Sequence, residues 1–174
     1  ESDKEISVSY DPICHFNLPI PDMSFYLENE EDFDIDLYDC FEVFCEEELL
    51  DDLFKNNNKM IQVEKQIKIW KFPSILMLTI KRFNLMLHKN NRLIDFPISN
   101  LDISNFCSKY YNSSCKYDLI GVCNHSGNIN GGHYFAYCKC EDGKWREFND
   151  SYVQEINEDD IVSPMAYVLF YKRI

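Results

Sequence analysis

Apolar residues recur along this chain with two periods, and the changes of period mark its elements. Residues 6–10 alternate apolar and polar, and Phe16-Asn17-Leu18-Pro19-Ile20-Pro21 reads as a short extended segment whose prolines bar it from the middle of a sheet. Residues 28–34 read as an acidic loop. Asp36 is placed to cap a helix in which Leu37, Phe41, Phe44 and Glu48 share a face and Asp39 lies in the first turn, with an end expected near Leu50. Asn56-Asn57-Asn58 is a loop. From there the period is two: Ile61, Val63, Ile67 and Ile69 alternate with Gln62, Glu64, Gln66 and Lys68, the pattern of a half-buried strand. After Pro73, the unbroken run Ile75-Leu76-Met77-Leu78-Thr79-Ile80 predicts a central strand without a wet face. Four more strands are predicted over residues 119–123, 134–140, 145–148 and 166–171. Helices early and strands late make an α+β fold with a mostly antiparallel sheet, in one domain covering 1–174.

Composition narrows the function classes. The chain has 174 residues and is 45% hydrophobic, enough for one real core. No apolar run approaches the ~20 residues that span a bilayer, and the acidic start lacks the features of a secretory signal. The expectation is an intracellular protein of cytoplasm or nucleus with no membrane partner. The eight cysteines form no Cys-x-x-Cys pair and sit in apolar or periodic segments, which reads as reduced thiols rather than a disulfide framework. A net charge of −13 argues against nucleic acid, which needs a basic face. Residues 28–52 hold thirteen of the carboxylates, and no Lys or Arg occurs between Lys4 and Lys55. Such a run is either a solvated surface or a docking face for a cationic protein segment.

The chemistry concentrates late in the chain. Gly131-Gly132-His133-Tyr134 puts an imidazole where a glycine loop meets a strand, and Trp145-Arg146-Glu147-Phe148-Asn149-Asp150 ends another strand in two acceptor side chains. If the two strands pair through a turn near Glu141-Asp142-Gly143, His133 and Asn149 face each other, with a ring nitrogen within about 2.7 to 3.5 Å of the Asn149 or Asp150 side chain. An amide oxygen accepting from one ring nitrogen leaves the other free to take a proton from a thiol. Taken alone, His133 is also readable as a histidine tucked beside a turn.

Four segments in order resemble the histidine box of the ubiquitin-specific proteases: residues 117–127, Gly131 through Tyr137, Trp145 through Val153, and Ala166-Tyr167-Val168-Leu169-Phe170-Tyr171. Residues 68–83, ending Lys81-Arg82-Phe83, are similar to an upstream signature of that family. Phe96-Pro97 with Leu101-Asp102 and the stretch 41–50 resemble two further segments. The resemblance implies the palm and fingers of a papain-like cysteine protease fold and hydrolysis of the isopeptide bond after ubiquitin's C-terminal glycine. It makes His133 the general base, Asn149 its orienting partner and Asp150 the adjacent acid that helps hold the site. It also places ubiquitin's tail against Ser126, Gly127, Gly131, Gly132 and Tyr134, in a loop where glycines let two backbones approach. The implied partners are ubiquitin, ubiquitinated proteins and the N-terminal half of the catalytic domain; no cofactor is implied.

Two features depart from the family. Its Gly-Asn-Thr-Cys-type turn into a helix, a setting that lowers a thiol's pKa, is absent. Cys14, before His15, is the nearest substitute, yet its Pro12-flanked loop is no helix start. The chain is therefore expected to be the C-terminal part of one catalytic domain, inactive by itself. The alternatives are a protease-derived domain that binds ubiquitin or acts as a scaffold without cutting, and a plain α+β interaction domain. Second, the paired Cys-x-x-Cys zinc ligands of many members are missing. Grouping His125, His133, Cys138 and Cys140 would consume the base, so no metal is expected.

Overall fold

The computed structural model describes residues 7–22, 34–56, 58–108 and 114–174. In chain order the strands are β1 (Phe16–Pro19), β2 (Ile35–Asp36), β3 (Glu48–Asn56), β4 (Lys59–Lys65), β5 (Ile75–Lys81), β6 (Ile94–Asp95), β7 (Leu101–Asp102), β8 (Lys116–Asn128), β9 (Gly131–Lys139), β10 (Trp145–Asn149), β11 (Tyr152–Ile156) and β12 (Ala166–Arg173). One α-helix, α1 (Leu37–Cys45), occurs among the described residues. The main sheet runs β1-β5-β12-β8-β9-β10-β11, with β7 on the flank of β8, and only the β1–β5 pairing in it is parallel. β2 and β6 make a small parallel pair, and β3 and β4 a separate hairpin.

The sheet's apolar face and α1 build the core. β5 sends Leu76, Leu78 and Ile80 inward, β12 adds Leu169 and Tyr171, and β8 adds Tyr117, Leu119 and Val122, all buried. α1 closes over this face with Leu37, Cys40 and Phe41, and its Phe44 ring meets Phe16 of β1 at 5.8 Å. A capping box starts the helix: Asp36 Oδ1 accepts from the backbone N–H groups of Tyr38 (2.8 Å) and Asp39 (3.0 Å), and Asp39 Oδ2 accepts from that of Asp36 (2.8 Å).

Several expectations change. α1 stops at Cys45 rather than near Leu50, and Glu48 already opens β3. The cause is local: Glu46-Glu47-Glu48 would place three carboxylates against the negative end of the helix dipole, with no basic side chain in the last turn. β4 is shorter than residues 61–69; Ile67 and Ile69 lie beyond it, and Ile69 is buried beside Cys107 through an isolated bridge. β5 is central in its hydrogen bonding, as expected, yet its second face is partly open, with Ile75 exposed and Met77 and Thr79 half-buried. β1 lies at the sheet edge, where its proline costs no ladder hydrogen bond. Residues 7–10 form no strand. The expected acidic loop lies, apart from Asp34, outside the described residues. The expected glycine loop is a hairpin instead: β8 and β9 pair out to Asn128↔Gly131, leaving Ile129 and Asn130 as the turn.

Candidate active site

The long β8 is paired with β12 in its first part and with β9 in its last, and this carries the hairpin tip beyond the core. There Ser126 pairs with His133, Gly127 with Gly132 and Asn128 with Gly131. Two of the glycines are dictated by geometry. Gly127 has φ 116°, and a Cβ on it would lie 2.6 Å from the Gly131 carbonyl oxygen. A Cβ on Gly132 would run into the His125 ring and lie 2.5 Å from the Ser126 carbonyl oxygen. Gly131 has open space where its Cβ would be. Gly127 and Gly132 thus let the two backbones of the hairpin and the His125 ring pack closely.

His133 is held by the next hairpin. β9 and β10 pair from Trp145↔Lys139 to Phe148↔Ala136, closed by a turn in which the Gly143 N–H donates to the Cys140 carbonyl at 2.9 Å. Asn149 follows one step beyond the last pair, on the same sheet face as His133 and diagonal to it. His133 Nε2 lies 2.6 Å from Asn149 Oδ1, and Asp150 Oδ2 lies 3.9 Å from the same nitrogen. Asp150 occupies the left-handed region (φ 51°), which an aspartate tolerates better than most residues and which turns its carboxylate back toward the ring. An amide oxygen only accepts, so Nε2 carries the proton and the Nδ1 lone pair is left for chemistry. The imidazole side chain is 47% exposed, open to a reactant approaching from solvent or from another protein segment.

On the opposite face of the β8–β9 hairpin, the one Tyr134 occupies, stands an aromatic cluster that the sequence did not announce. Tyr134 is exposed and packs on buried His125 at 4.6 Å between ring centres; Phe83 and Tyr167 approach the same imidazole at 5.9 and 5.8 Å. Tyr167 is the extra residue of a bulge in β12, between the pairs Ala166↔Asn124 and Val168↔Cys123, and the bulge aims its ring there. Burial, reinforced by the neighbouring Lys89 ammonium, holds the His125 imidazole below its ordinary pKa. Lys89 Nζ donates to the His125 carbonyl (2.6 Å) and ties the segment after Phe83 to the hairpin. Buried Arg82 fixes the base of that segment by donating to the carbonyls of Ala166, Asn90 and Arg92 at 2.7, 3.1 and 2.8 Å. Phe83 and Tyr167 each lie in a quoted motif, but only the tertiary fold shows that they meet.

The cysteines stand apart from His133. Among the described residues no sulfur is hydrogen-bonded to it, and its bond goes to Asn149. Burial pushes the Cys40 and Cys107 thiols up to about 12 and Cys45 to about 11, and raises Cys123 and Cys138, away from the thiolate form that attacks carbonyls. Cys14 is exposed in a segment without regular structure. Among the described residues no group of three or more His, Cys, Asp or Glu side chains is arranged to hold a metal; along β9, His133 and Cys138 point to opposite faces. Residues 34–52 of the acidic stretch belong largely to α1, packed on β1, and to β3, paired with β4, not to the hairpins around His133. No helix among the described residues is long and apolar enough to cross a membrane.

A mostly antiparallel sheet with one helix packed on it, presenting a histidine and an amide side by side, defines an α+β chain of the papain-like cysteine protease class. A family profile described as "Ubiquitin carboxyl-terminal hydrolase" matches residues 12–171. A probable ubiquitin carboxyl-terminal hydrolase of Acanthamoeba polyphaga mimivirus is 36% identical over 173 residues, covering 94% of this chain and 36% of that protein. Ubiquitin carboxyl-terminal hydrolase 15 of Homo sapiens is 43% identical over 147 residues, covering 80% of this chain and 15% of that protein. Among solved structures, a chain of the SAGA Ubp8/Sgf11/Sus1/Sgf73 DUB module bound to ubiquitin aldehyde matches with a TM-score of 0.78 at 33% identity, covering 94% of this chain and 36% of that one. A structure of the yeast SAGA DUBm gives 0.81 at 31% identity over 99% of this chain and 38% of that one. The chain belongs to the ubiquitin carboxyl-terminal hydrolase family and corresponds to the C-terminal portion of the domain in its relatives, spanning well under half of their length.

Proposed function

We propose that this chain supplies the general base and its orienting partner for hydrolysis of the isopeptide bond after ubiquitin's C-terminal glycine. The thiol nucleophile comes from outside residues 1–174, from the N-terminal half of the same catalytic domain. The observation that carries the proposal is the 2.6 Å contact of His133 Nε2 with Asn149 Oδ1, which leaves Nδ1 as the free base. Nδ1 takes the thiol proton and the thiolate adds to the glycine carbonyl. The tetrahedral intermediate then collapses as the imidazolium returns that proton to the departing lysine amine, forming a thioester. Water, deprotonated by the same nitrogen, releases the ubiquitin carboxylate and restores the thiol. Asn149 keeps the ring in this tautomer, and the Asp150 carboxylate faces the imidazolium when it forms.

Ubiquitin, as its aldehyde, is the ligand named in a structural relative. In this reading Ser126, Gly127, Gly131 and Gly132 line the passage and Tyr134 walls it. The test is hydrolysis of a ubiquitin C-terminal fluorogenic amide by the protein carrying its nucleophile, with and without His133→Ala. The expected loss is at least about 10²-fold; unaltered turnover would overturn the assignment. The chain 1–174 alone should show no turnover, and a rate abolished by Cys14→Ser would overturn the external nucleophile. The raised thiols fit equally one other reading, a ubiquitin-binding domain without catalysis. It predicts ubiquitin binding and no hydrolysis even in the longer protein.

A further inference from the structure

On the sheet face that carries His133, β10 and β11 hold a line of hydrogen bonds that converges on one carboxylate. The cross-strand pairs Glu147↔Gln154 and Asn149↔Tyr152 set these side chains in a row. The Tyr152 hydroxyl donates to Gln154 Oε1 at 3.2 Å, Gln154 Nε2 donates to Glu147 Oε2 at 2.8 Å, and Asn149 Nδ2 donates to Glu147 Oε1 at 3.0 Å. Asn149 Oδ1, at the other end of the same amide, faces His133 Nε2.

A carboxamide has nearly the same shape turned by 180°, so its neighbours decide which end faces where. Were the Asn149 amide reversed, its N–H would point at Nε2, that nitrogen would have to accept, and the ring proton would move to Nδ1. Nδ1 is the nitrogen the proposed chemistry needs free. An ionised carboxylate can only accept, so Glu147 rejects the reversed amide by presenting an oxygen to whichever end approaches it. Gln154, donating to the second oxygen, holds that carboxylate in place.

We infer that Glu147 is a positioning residue for the reaction: by fixing the flip of the Asn149 amide it selects the His133 tautomer with a free Nδ1. The requirement is created by asparagine. An aspartate at position 149 would have no wrong end, and its charge would be repelled by the Glu147 carboxylate about one hydrogen-bond length away. Glu147 and Asn149 are therefore a matched pair, and replacing either alone is harmful where replacing both is not. The inference rests on the role proposed above for His133.

The experiment is a double-substitution cycle in the protein carrying its nucleophile, read by ubiquitin-amide hydrolysis. Glu147→Lys presents a donor, which draws the amide oxygen away from the imidazole. Its kcat should fall at least about tenfold with KM changed less than about twofold. Asn149→Asp alone should also lose rate, and the combination of Glu147→Lys with Asn149→Asp should recover most of it. Losses that simply multiply, or an unaffected Glu147→Lys enzyme, would overturn the inference. The imidazole ¹⁵N shifts of His133, measured in the same histidine-labelled protein at alkaline pH, give a readout independent of turnover. They should report Nε2–H in the parent and Nδ1–H in Glu147→Lys, and an unchanged tautomer would overturn the positioning role. If no variant turns over while the tautomer switches, the catalytic reading fails and the positioning by Glu147 stands.

Discussion

Gly132→Ala isolates the packing that holds His133 in place. The added methyl would lie 2.5 Å from the Ser126 carbonyl oxygen and inside contact distance of the His125 ring. Neither neighbour has room to yield. Ser126 is paired in the β8–β9 ladder opposite His133, and His125 is 3% exposed, packed against Tyr134, Phe83 and Tyr167. Overpacking of this kind costs about 1–3 kcal/mol. At roughly 2–4 °C per kcal/mol for a chain of this size, the thermal midpoint should drop by about 2–12 °C. The cheapest relief is to open the last pairs of the hairpin, which include Ser126↔His133, and a base displaced by about 1 Å loses on the order of 10² in rate. Gly131→Ala is the matched control for stability, because its Cβ meets nothing within 4 Å. Thermal melts of the two variants side by side are the assay, with ubiquitin-amide hydrolysis of Gly132→Ala read against the parent. Equal midpoints for the two variants would refute the steric reasoning.

Asn149→Ala removes the acceptor from His133 and should lower kcat by about 10²-fold; an unaffected kcat in steady-state hydrolysis would refute its role. His125 has a folded-state pKa below its ordinary 6.5, so the unfolded chain binds its proton first as pH falls. Its contribution to stability is fully present above 6.5 and is lost as pH drops through that value toward the folded one. Denaturant titrations at pH 7.5 and 5.5 should show a smaller acid loss for His125→Phe than for the parent, and equal losses would refute the burial argument. Neutralising Glu28, Glu30, Glu31 and Asp32 together should slow ubiquitin association at low salt and make no difference at high salt, because charge steering between proteins acts over a Debye length of ~8 Å at physiological ionic strength. An unchanged stopped-flow rate at low salt would return the acidic stretch to a solvated surface.

What could be read from the sequence was whatever a short window encodes. The pairing of β9 with β10 is of this kind: two apolar-periodic runs separated by Glu141-Asp142-Gly143 form a hairpin, and a hairpin brings the residues at its open end together, which is why His133 and Asn149 meet within 2.6 Å. The cap at Asp36 is also local, and so is the dipole penalty that ends α1, although the apolar face shared with Glu48 masked it. β11 escaped notice because Tyr152 and Val153 are both exposed, so an edge strand left no alternating signature. The hairpin hidden in the glycine loop escaped for the opposite reason. Glycines read as loop formers in a window, whereas here Gly127 and Gly132 are in strands because a buried histidine and a facing backbone leave no space for a side chain. The aromatic cluster depends on contacts across the whole fold. Phe83 and Tyr167 lie 84 positions apart in the chain, and they meet at His125 because β12 lies between β5 and β8 and carries a bulge at that one residue. Glu147 falls between these extremes: its partners Asn149 and Gln154 are near in sequence, but its importance appears only when each hydrogen bond is given a direction. Local patterns brought His133 beside Asn149, and the directions of the hydrogen bonds around them are what give Glu147 its proposed role.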